Sequence, residues 1–456
     1  MPEQEQQVDI VVIGMGPGAE EVAGRLAEAG LTVVGVEREL VGGECPYWGC
    51  IPSKMMIRGS NLLTEGRRIN GVAGSATVHP DLGPVAQRIR DEATDDWDDQ
   101  VAVDRFEKKG GRFVRGSGRF DGPGRVVVGD QTFVASRGVV VGSGSSPVIP
   151  PITGLDTTAY WTNREAISAR QAPESLVVLG GGAIGLELAQ MFARFGSRVS
   201  IVEGLDRILS AEEPEASALV AKALEDDGIT LHTGAKAVQV ARDGGEAVVT
   251  LEGGTTVRGA ELLVSVGRHA NVADLGLDTI GLDPKARAIE VDDRMRAADG
   301  VWAVGDVTGV GMFTHISMYQ AGIAIADILG RAGEPADYRG LSRVTFTDPE
   351  VGSVGLTEQA ARDKGLQVRV GVAKLETSTR GWIHGPGGAG VYKLVEDVDA
   401  GVLVGATSAG PVGGEVLAML TLAVHARVPV SQLRTMIYAY PTFHRGLLDA
   451  LADLGG

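Results

Sequence analysis

One local pattern occurs twice, 166 residues apart, and it restricts the chain more than any other feature. An apolar run of buried-strand length, Asp9-Ile10-Val11-Val12-Ile13, leads into Gly14-Met15-Gly16-Pro17-Gly18-Ala19 and then into helical periodicity up to Ala29. A further apolar run, Leu31 to Val36, ends at Glu37, 23 residues beyond Gly14. The second copy reads Leu176 to Leu179, then Gly180-Gly181-Gly182-Ala183-Ile184-Gly185, then Arg198 to Val202 ending at Glu203, again 23 residues beyond its first glycine. Between a strand and a helix, the first glycine of such a run makes the tight turn and the second lets the backbone approach a pyrophosphate. The small third residue lets helix and strand pack closely. A terminal acid suits a ribose hydroxyl. Two copies with matching acids predict two dinucleotide-binding units in an α/β chain.

At 456 residues the chain exceeds what a single core supports, so several domains are expected. Its 66 glycines, about twice the usual share, fit many tight turns and close backbone approaches to ligands. A net charge of −17 argues against nucleic acid or an anionic membrane surface as partner. Met1 to Gln7 lack the basic and apolar regions of a secretory signal, and no apolar run approaches the ~20 residues that span a bilayer. The expectation is a cytoplasmic protein. Two cysteines, Cys45 and Cys50, cannot form a secreted disulfide framework. The closest histidine in sequence is His79, so no metal site is expected and a redox pair is the leading reading.

Between the two glycine units, Pro84 to Gly110 reads as charged helices and Gly111 to Val141 as short antiparallel strands. Val301 to Val304 reads as a strand ending in Gly305-Asp306, with a helix through Ala321 to Leu329. From about Arg339 the pattern becomes that of a separate α+β domain without nucleotide glycines. The cysteines stand five apart in Cys45-Pro46-Tyr47-Trp48-Gly49-Cys50. In an ideal helix that spacing is about 7.5 Å along the axis and about 140° around it. This is at or beyond a disulfide's reach of about 7 Å. A bridge therefore requires an irregular turn, for which Pro46 and Gly49 are suited. A helix N-terminus is expected to lower a thiol pKa there.

These pieces, with Ile51-Pro52-Ser53-Lys54 after the cysteines, the Gly142-Ser143 turn, Gly267-Arg268, Gly305-Asp306 and Tyr440-Pro441-Thr442, resemble the pyridine nucleotide-disulfide oxidoreductases over essentially the whole chain. That family includes dihydrolipoamide dehydrogenase, glutathione reductase and mercuric reductase. The resemblance implies an FAD-binding domain over 1–150 and 273–338, an NAD(P)-binding domain over 151–272 and a dimerisation domain over 339–456. It implies FAD held by Gly14, Gly16, Gly18, Glu37, Gly43, Lys54, Gly118, Gly142, Ser143, Asp306 and backbone at His315. The nicotinamide cofactor falls to Gly180, Gly182, Gly185, Glu203 and Gly267. An acid at position 203 favours NADH over NADPH, while Arg207 nearby in sequence speaks the other way. Cys45 is implied to exchange with substrate, Cys50 to contact flavin, and Lys54 to pair with Glu187 beside it. The implied assembly is a homodimer.

Two features depart from the family. Its disulfide reductases carry His-Pro-Thr-x-x-Glu near the C-terminus, where this chain has Tyr440-Pro441-Thr442-Phe443-His444-Arg445. A phenol near pKa 10 is a poor base at neutral pH but donates a proton or hydrogen bond. His444 is the alternative. Pro46-Tyr47-Trp48 puts bulky aromatics between the cysteines, either as a platform for a flat acceptor or as packing. The acceptor is expected to be a small-molecule or protein disulfide, with a quinone, a metal ion or oxygen as the alternative. A flavin-binding redox sensor is a third possibility. The C-terminal Leu454-Gly455-Gly456 lacks the terminal cysteine pair of ordinary mercuric reductases.

Overall fold

The structure, a computed structural model, describes residues 5–455 and divides into two compact units. One comprises the chain up to Pro52 with Gln87–Val148 and Arg268–Asp337. The other comprises Ser53–Ala86, Ile149–Gly267 and the chain from Tyr338 onward.

The first unit is built on a sheet whose central strands run Arg112–Arg115, Val33–Glu37, Gln6–Ile13, Gln131–Val141 and Val301–Ala303, all parallel. Successive strand residues point to opposite faces. Ile10 and Val12 enter a core with helices Pro17–Glu28, Gln100–Lys108 and Thr314–Ile328, while Val11 and Ile13 enter a second core with Phe120 and Phe133. Both faces are therefore covered, which is why the central strand is continuously apolar from Ile10 to Ile13. The segment 111–141 is not wholly antiparallel, as its alternation suggested. Arg112–Arg115 joins the parallel sheet, and the strand Gln131–Val141 pairs antiparallel with Arg125–Val128 while running parallel to Gln6–Ile13. Its two edges serve different partners, Gln6–Ile13 along one and Arg125–Val128 followed by Val301–Ala303 along the other.

The second unit repeats the parallel motif with strands Thr230–His232, Arg198–Val202, Ser175–Leu179 and Glu261–Val264, and adds the three-stranded antiparallel sheet of Ala237–Asp243, Glu246–Leu251 and Thr256–Gly259. From Ser342 a five-stranded antiparallel sheet carries helices Gly413–His425 and Leu447–Asp453 on a core that includes Leu394, Leu417, Leu420 and Leu451. Among the described residues no helix is long and apolar enough to cross a membrane.

The glycine turns depend on the absence of a side chain in two different ways. Gly14 sits at φ +86°, and a Cβ there would lie 2.4 Å from the carbonyl oxygen of Gly142. At Gly16 no atom lies within 4 Å of that position. Gly14→Ala is therefore expected to lower unfolding free energy by about 2–5 kcal/mol in denaturant titration, combining left-handed strain and overpacking. Gly16→Ala is expected to cost under about 1 kcal/mol. Equal losses would contradict this division of roles.

Candidate active site

The two glycine turns are bonded alike. The amide of Gly14 donates to the carbonyl of Val36 at 2.8 Å, and that of Gly180 to Val202 at 2.9 Å. The carboxylate of Glu37 accepts from the amides of Met15 at 2.8 Å and Glu39 at 2.9 Å. The carboxylate of Glu203 accepts from Gly181 at 2.6 Å and Leu205 at 2.8 Å. Each acid thus ties the strand end to the glycine loop and keeps lone pairs for a further donor. Gly16 and Gly182 are extended caps of 12-residue helices, Pro17–Glu28 and Ala183–Arg194, and no side chain caps either helix. A Cβ on Gly182, as on Gly16, would meet nothing within 4 Å. Uncapped amides facing open space at a helix N-terminus fit a pyrophosphate, so both turns have room and donors for a dinucleotide.

The other glycines of these signatures serve close packing. A Cβ on Gly18 would lie 2.5 Å from the carbonyl oxygen of Ser317, one on Gly142 2.4 Å from Ala19, and one on Gly185 2.4 Å from the carbonyl oxygen of Gly180. Gly118 faces Ile13 and Val36 on the apolar side of its strand. Gly267 has φ +131° with open space beside it. Arg207 is occupied, since its guanidinium donates to the carbonyls of Leu209, Ser210 and Glu212.

In the first unit a polar cluster forms around Asp306. Ser145 Oγ donates to Asp306 Oδ2 at 2.6 Å and accepts from Arg268 Nε at 2.8 Å. Burial raises the Asp306 pKa, with Ser145 and Arg268 acting against it. Ser143 Oγ donates to the carbonyl of Asn271 at 2.7 Å, and Asn271 returns a bond to the carbonyl of Ser143. Gly43, at φ +65°, brings the entry of the cysteine loop to within 2.9 Å of Gly16 Cα, measured from its absent Cβ. His315 is exposed in the first turn of helix Thr314–Ile328 and stacks on Phe313 at 5.3 Å.

The cysteine stretch forms two helices, Glu44–Trp48 and Cys50–Arg68, separated at Gly49, whose φ −137° and ψ −115° interrupt the helical path. This is the irregular turn that the spacing requires. Both cysteines are thiols here. Interaction with the Cys50 thiol first, then burial, push the Cys45 pKa up, with Thr314 acting the other way. Cys50 Sγ lies 3.3 Å from Thr314 Oγ1. At Cys45 the direction is upward rather than the lowering expected of a helix N-terminus. Tyr47 is buried, and desolvation together with the Asp99 charge raises its phenol to about 12.

In the second unit Lys54 Nζ lies 2.8 Å from Glu187 Oε2 and 4.6 Å from the ring centre of Phe346. Glu187 Oε1 accepts from the Phe346 amide at 2.8 Å. One helix turn on, Gln190 exchanges bonds with both backbone groups of Asp348, and Arg194 pairs with the Asp348 carboxylate at 2.9 Å. Glu187, Gln190 and Arg194 share one helix face, so the segment Phe346–Asp348 is pinned along it. Tyr440 is 67% exposed. Its hydroxyl lies 3.4 Å from Thr379 Oγ1, and the Arg445 guanidinium stands 5.8 Å from its ring centre. His444 is half-buried at the start of the turn His444–Gly446. Sequence reasoning did not single out Ser145, Thr314, Phe346 or Asp99, none of which carries a motif signal.

The chain matches the pyridine nucleotide-disulphide oxidoreductase family over residues 8–321 and that family's dimerisation domain over 341–451. The dihydrolipoyl dehydrogenase of Chlorobaculum tepidum is 34% identical, covering 98% of this chain and 97% of its own length. The mercuric reductase of Streptomyces lividans is 32% identical, covering 96% and 94%. The HOCl-induced flavoprotein disulfide reductase RclA of Escherichia coli has a similar structure, with a TM-score of 0.85, 26% identity and coverage of 97% and 99%. The chain therefore belongs to the pyridine nucleotide-disulphide oxidoreductase family, FAD-dependent α/β oxidoreductases with a C-terminal dimerisation domain.

Proposed function

We propose that the protein is an NADH-linked, dihydrolipoamide dehydrogenase-like reductase that passes electrons through a Cys45–Cys50 disulfide to a disulfide acceptor, without the family's histidine–glutamate acid/base pair. The observation that carries this reading is the break of the helical path at Gly49 between the two cysteines, with Thr314 at the sulfur of Cys50. The residues around both glycine turns fit the cofactors, with Glu37 and Asp306 toward FAD and Glu203 toward the nicotinamide cofactor. When bound, FAD supplies the two-electron relay from NADH to the cysteines.

The chain's own residues do the rest. Two electrons and two protons open the Cys45–Cys50 bond to the dithiol. Cys45 then attacks an acceptor sulfur, one acceptor thiolate leaves and is protonated through Tyr440, which regains its proton from the Cys45 thiol, and Cys50 closes the protein disulfide as the second acceptor thiolate leaves with the Cys50 proton. Lys54, fixed by Glu187 and Phe346, contributes a positive charge on the helix that begins at Cys50. Tyr440 donates its hydroxyl proton to the leaving thiolate, delivered across the homodimer that the dimerisation domain supports. Arg207 is engaged by three carbonyls and Glu203 presents a carboxylate, which together favour a ribose 2′-hydroxyl over a 2′-phosphate. A second reading, reduction of a quinone or metal ion, is favoured by Arg445 standing where the family has glutamate, because such acceptors need no acid for a leaving thiolate.

An acceptor panel separates the readings. Cys45→Ser is expected to lower disulfide turnover by roughly a thousandfold or more, and Tyr440→Phe by about a hundredfold. Disulfide turnover intact in Cys45→Ser would reject the relay. Quinone or metal-ion turnover alone in the wild type would support the second reading. Glu203→Ala is expected to weaken NADH binding about tenfold while leaving NADPH nearly unchanged, measured by KM for each. Equal losses would reject the assignment of Glu203.

A further inference from the structure

The segment 94–99 packs on the cysteine loop and belongs to no motif read from the sequence. A turn of π-helix, Ile89–Thr94, leads into Asp95, Asp96 and Trp97 at φ +48°, +51° and +63°, three consecutive non-glycine residues in the left-handed region. Such residues are uncommon singly, and their strain persists only where surrounding structure imposes it. Here the turn is held by the amide of Asp96 on the carbonyl of Arg90 at 2.8 Å and the amide of Asp98 on that of Thr94 at 3.1 Å. Its product is the placement of one side chain. The Trp97 ring stacks on Trp48 with centres 5.1 Å apart and planes 18° from parallel, and its Nε1 donates to the carbonyl of Tyr47 at 3.2 Å. Trp97 therefore grips two successive residues lying between Cys45 and Cys50. Two residues further on, the buried Asp99 carboxylate accepts from the amide of Val41 at 2.7 Å and from Arg115 at 2.6 Å. That anchors the same segment to the chain just before the loop.

We infer that Trp97 is a positioning residue for the redox pair, clamping the Cys45–Cys50 loop in the dithiol state and thereby favouring closure of the disulfide. The proposal rests on the reading of the cysteines as a redox pair. When the bond forms, the two thiols give up two protons and two electrons, and the Sγ–Sγ link itself restricts the loop. In the dithiol that restriction is absent, and loop freedom opposes closure. A clamp already acting on Tyr47 and Trp48 in the dithiol removes part of that cost, so the thiols meet at a higher effective concentration. Releasing the clamp stabilises the dithiol relative to the disulfide and makes the couple more oxidising.

The chain has only these two cysteines, so their state can be counted directly. Anaerobic FAD-loaded protein is equilibrated in graded ratios of reduced to oxidised dithiothreitol. Reduced dithiothreitol opens the protein disulfide as it closes its own. The mixture is then acid-quenched, alkylated with a maleimide and weighed intact. In Trp97→Ala the half-reduction point is expected at about a tenfold lower ratio of reduced to oxidised reagent, equivalent to about 30 mV in a two-electron couple. Trp97→Phe keeps a stacking ring and loses the donor, and is expected to move the same way by about threefold. A role limited to stability would lower the melting temperature and leave both half-points in place. Half-points within twofold of wild type in every variant that folds, or displaced to higher ratios, would overturn the clamp. Should Trp97→Ala not fold, Trp97→Phe decides alone. A wild-type protein showing no dithiol–disulfide equilibrium would overturn the redox pair itself, and the clamp with it.

Discussion

Two thiols five residues apart meet only where the helix joining them is broken, and Gly49 is where this chain breaks it. A Cβ at Gly49 would stand 3.1 Å from the carbonyl oxygen of Glu44 and 3.5 Å from the Cα of Cys45, so the break is tight as well as irregular. Much of the first unit is arranged around that constraint. Gly43 brings the loop entry against the first glycine turn, and the amide of Gly42 donates to the carbonyl of Met15 at 2.7 Å. Asp99 and Trp97 hold the loop on one flank, and Thr314 stands at the sulfur of Cys50. The chemistry proposed for the cysteines thus depends on a local backbone geometry that several distant segments jointly impose.

The repeated glycine turn contributes a different economy of parts. In both copies the acid that ends the second strand is already bonded to the loop it is expected to serve, with amide partners at the same offsets, Met15 and Glu39 in one and Gly181 and Leu205 in the other. Glu37 and Glu203 are therefore held in place by backbone donors, and a fixed carboxylate lowers the ordering cost of any ligand bonded to it. Within three residues, the positive φ of Gly14 and Gly180 makes the turn while Gly16 and Gly182 leave open space beside it.

The parts that were legible in the sequence are those where backbone chemistry admits few residues. Gly14, Gly16, Gly180 and Gly182, the acids at 37 and 203, and the need for a break between the cysteines all follow from what a turn, a pyrophosphate or a disulfide can tolerate. The parts that were not legible depend on tertiary placement. The antiparallel reading of Gly111 to Val141 missed that Arg112–Arg115 and Gln131–Val141 also belong to the parallel sheet, because alternation does not reveal which neighbour a strand takes. Phe346 contributes an amide to Glu187 and a ring to Lys54, and neither role leaves a pattern in sequence. Trp97 was hidden for a further reason, since its left-handed turn uses aspartates and tryptophan rather than glycine. The Cys45 pKa is raised by its interaction with the Cys50 thiol and by burial, where a helix terminus alone suggests a lowering, because spacing does not report burial.

The central claim is that electrons from reduced nicotinamide reach this pair of sulfurs. It is tested most directly by counting thiols during anaerobic titration of the FAD-loaded, disulfide-containing protein with NADH, using maleimide labelling and intact mass. The account predicts that two alkylatable thiols appear per subunit as NADH is consumed, and that both are lost again when a disulfide acceptor is added. It is contradicted if NADH is oxidised at the expense of an acceptor while Cys45 and Cys50 keep a constant labelling state throughout.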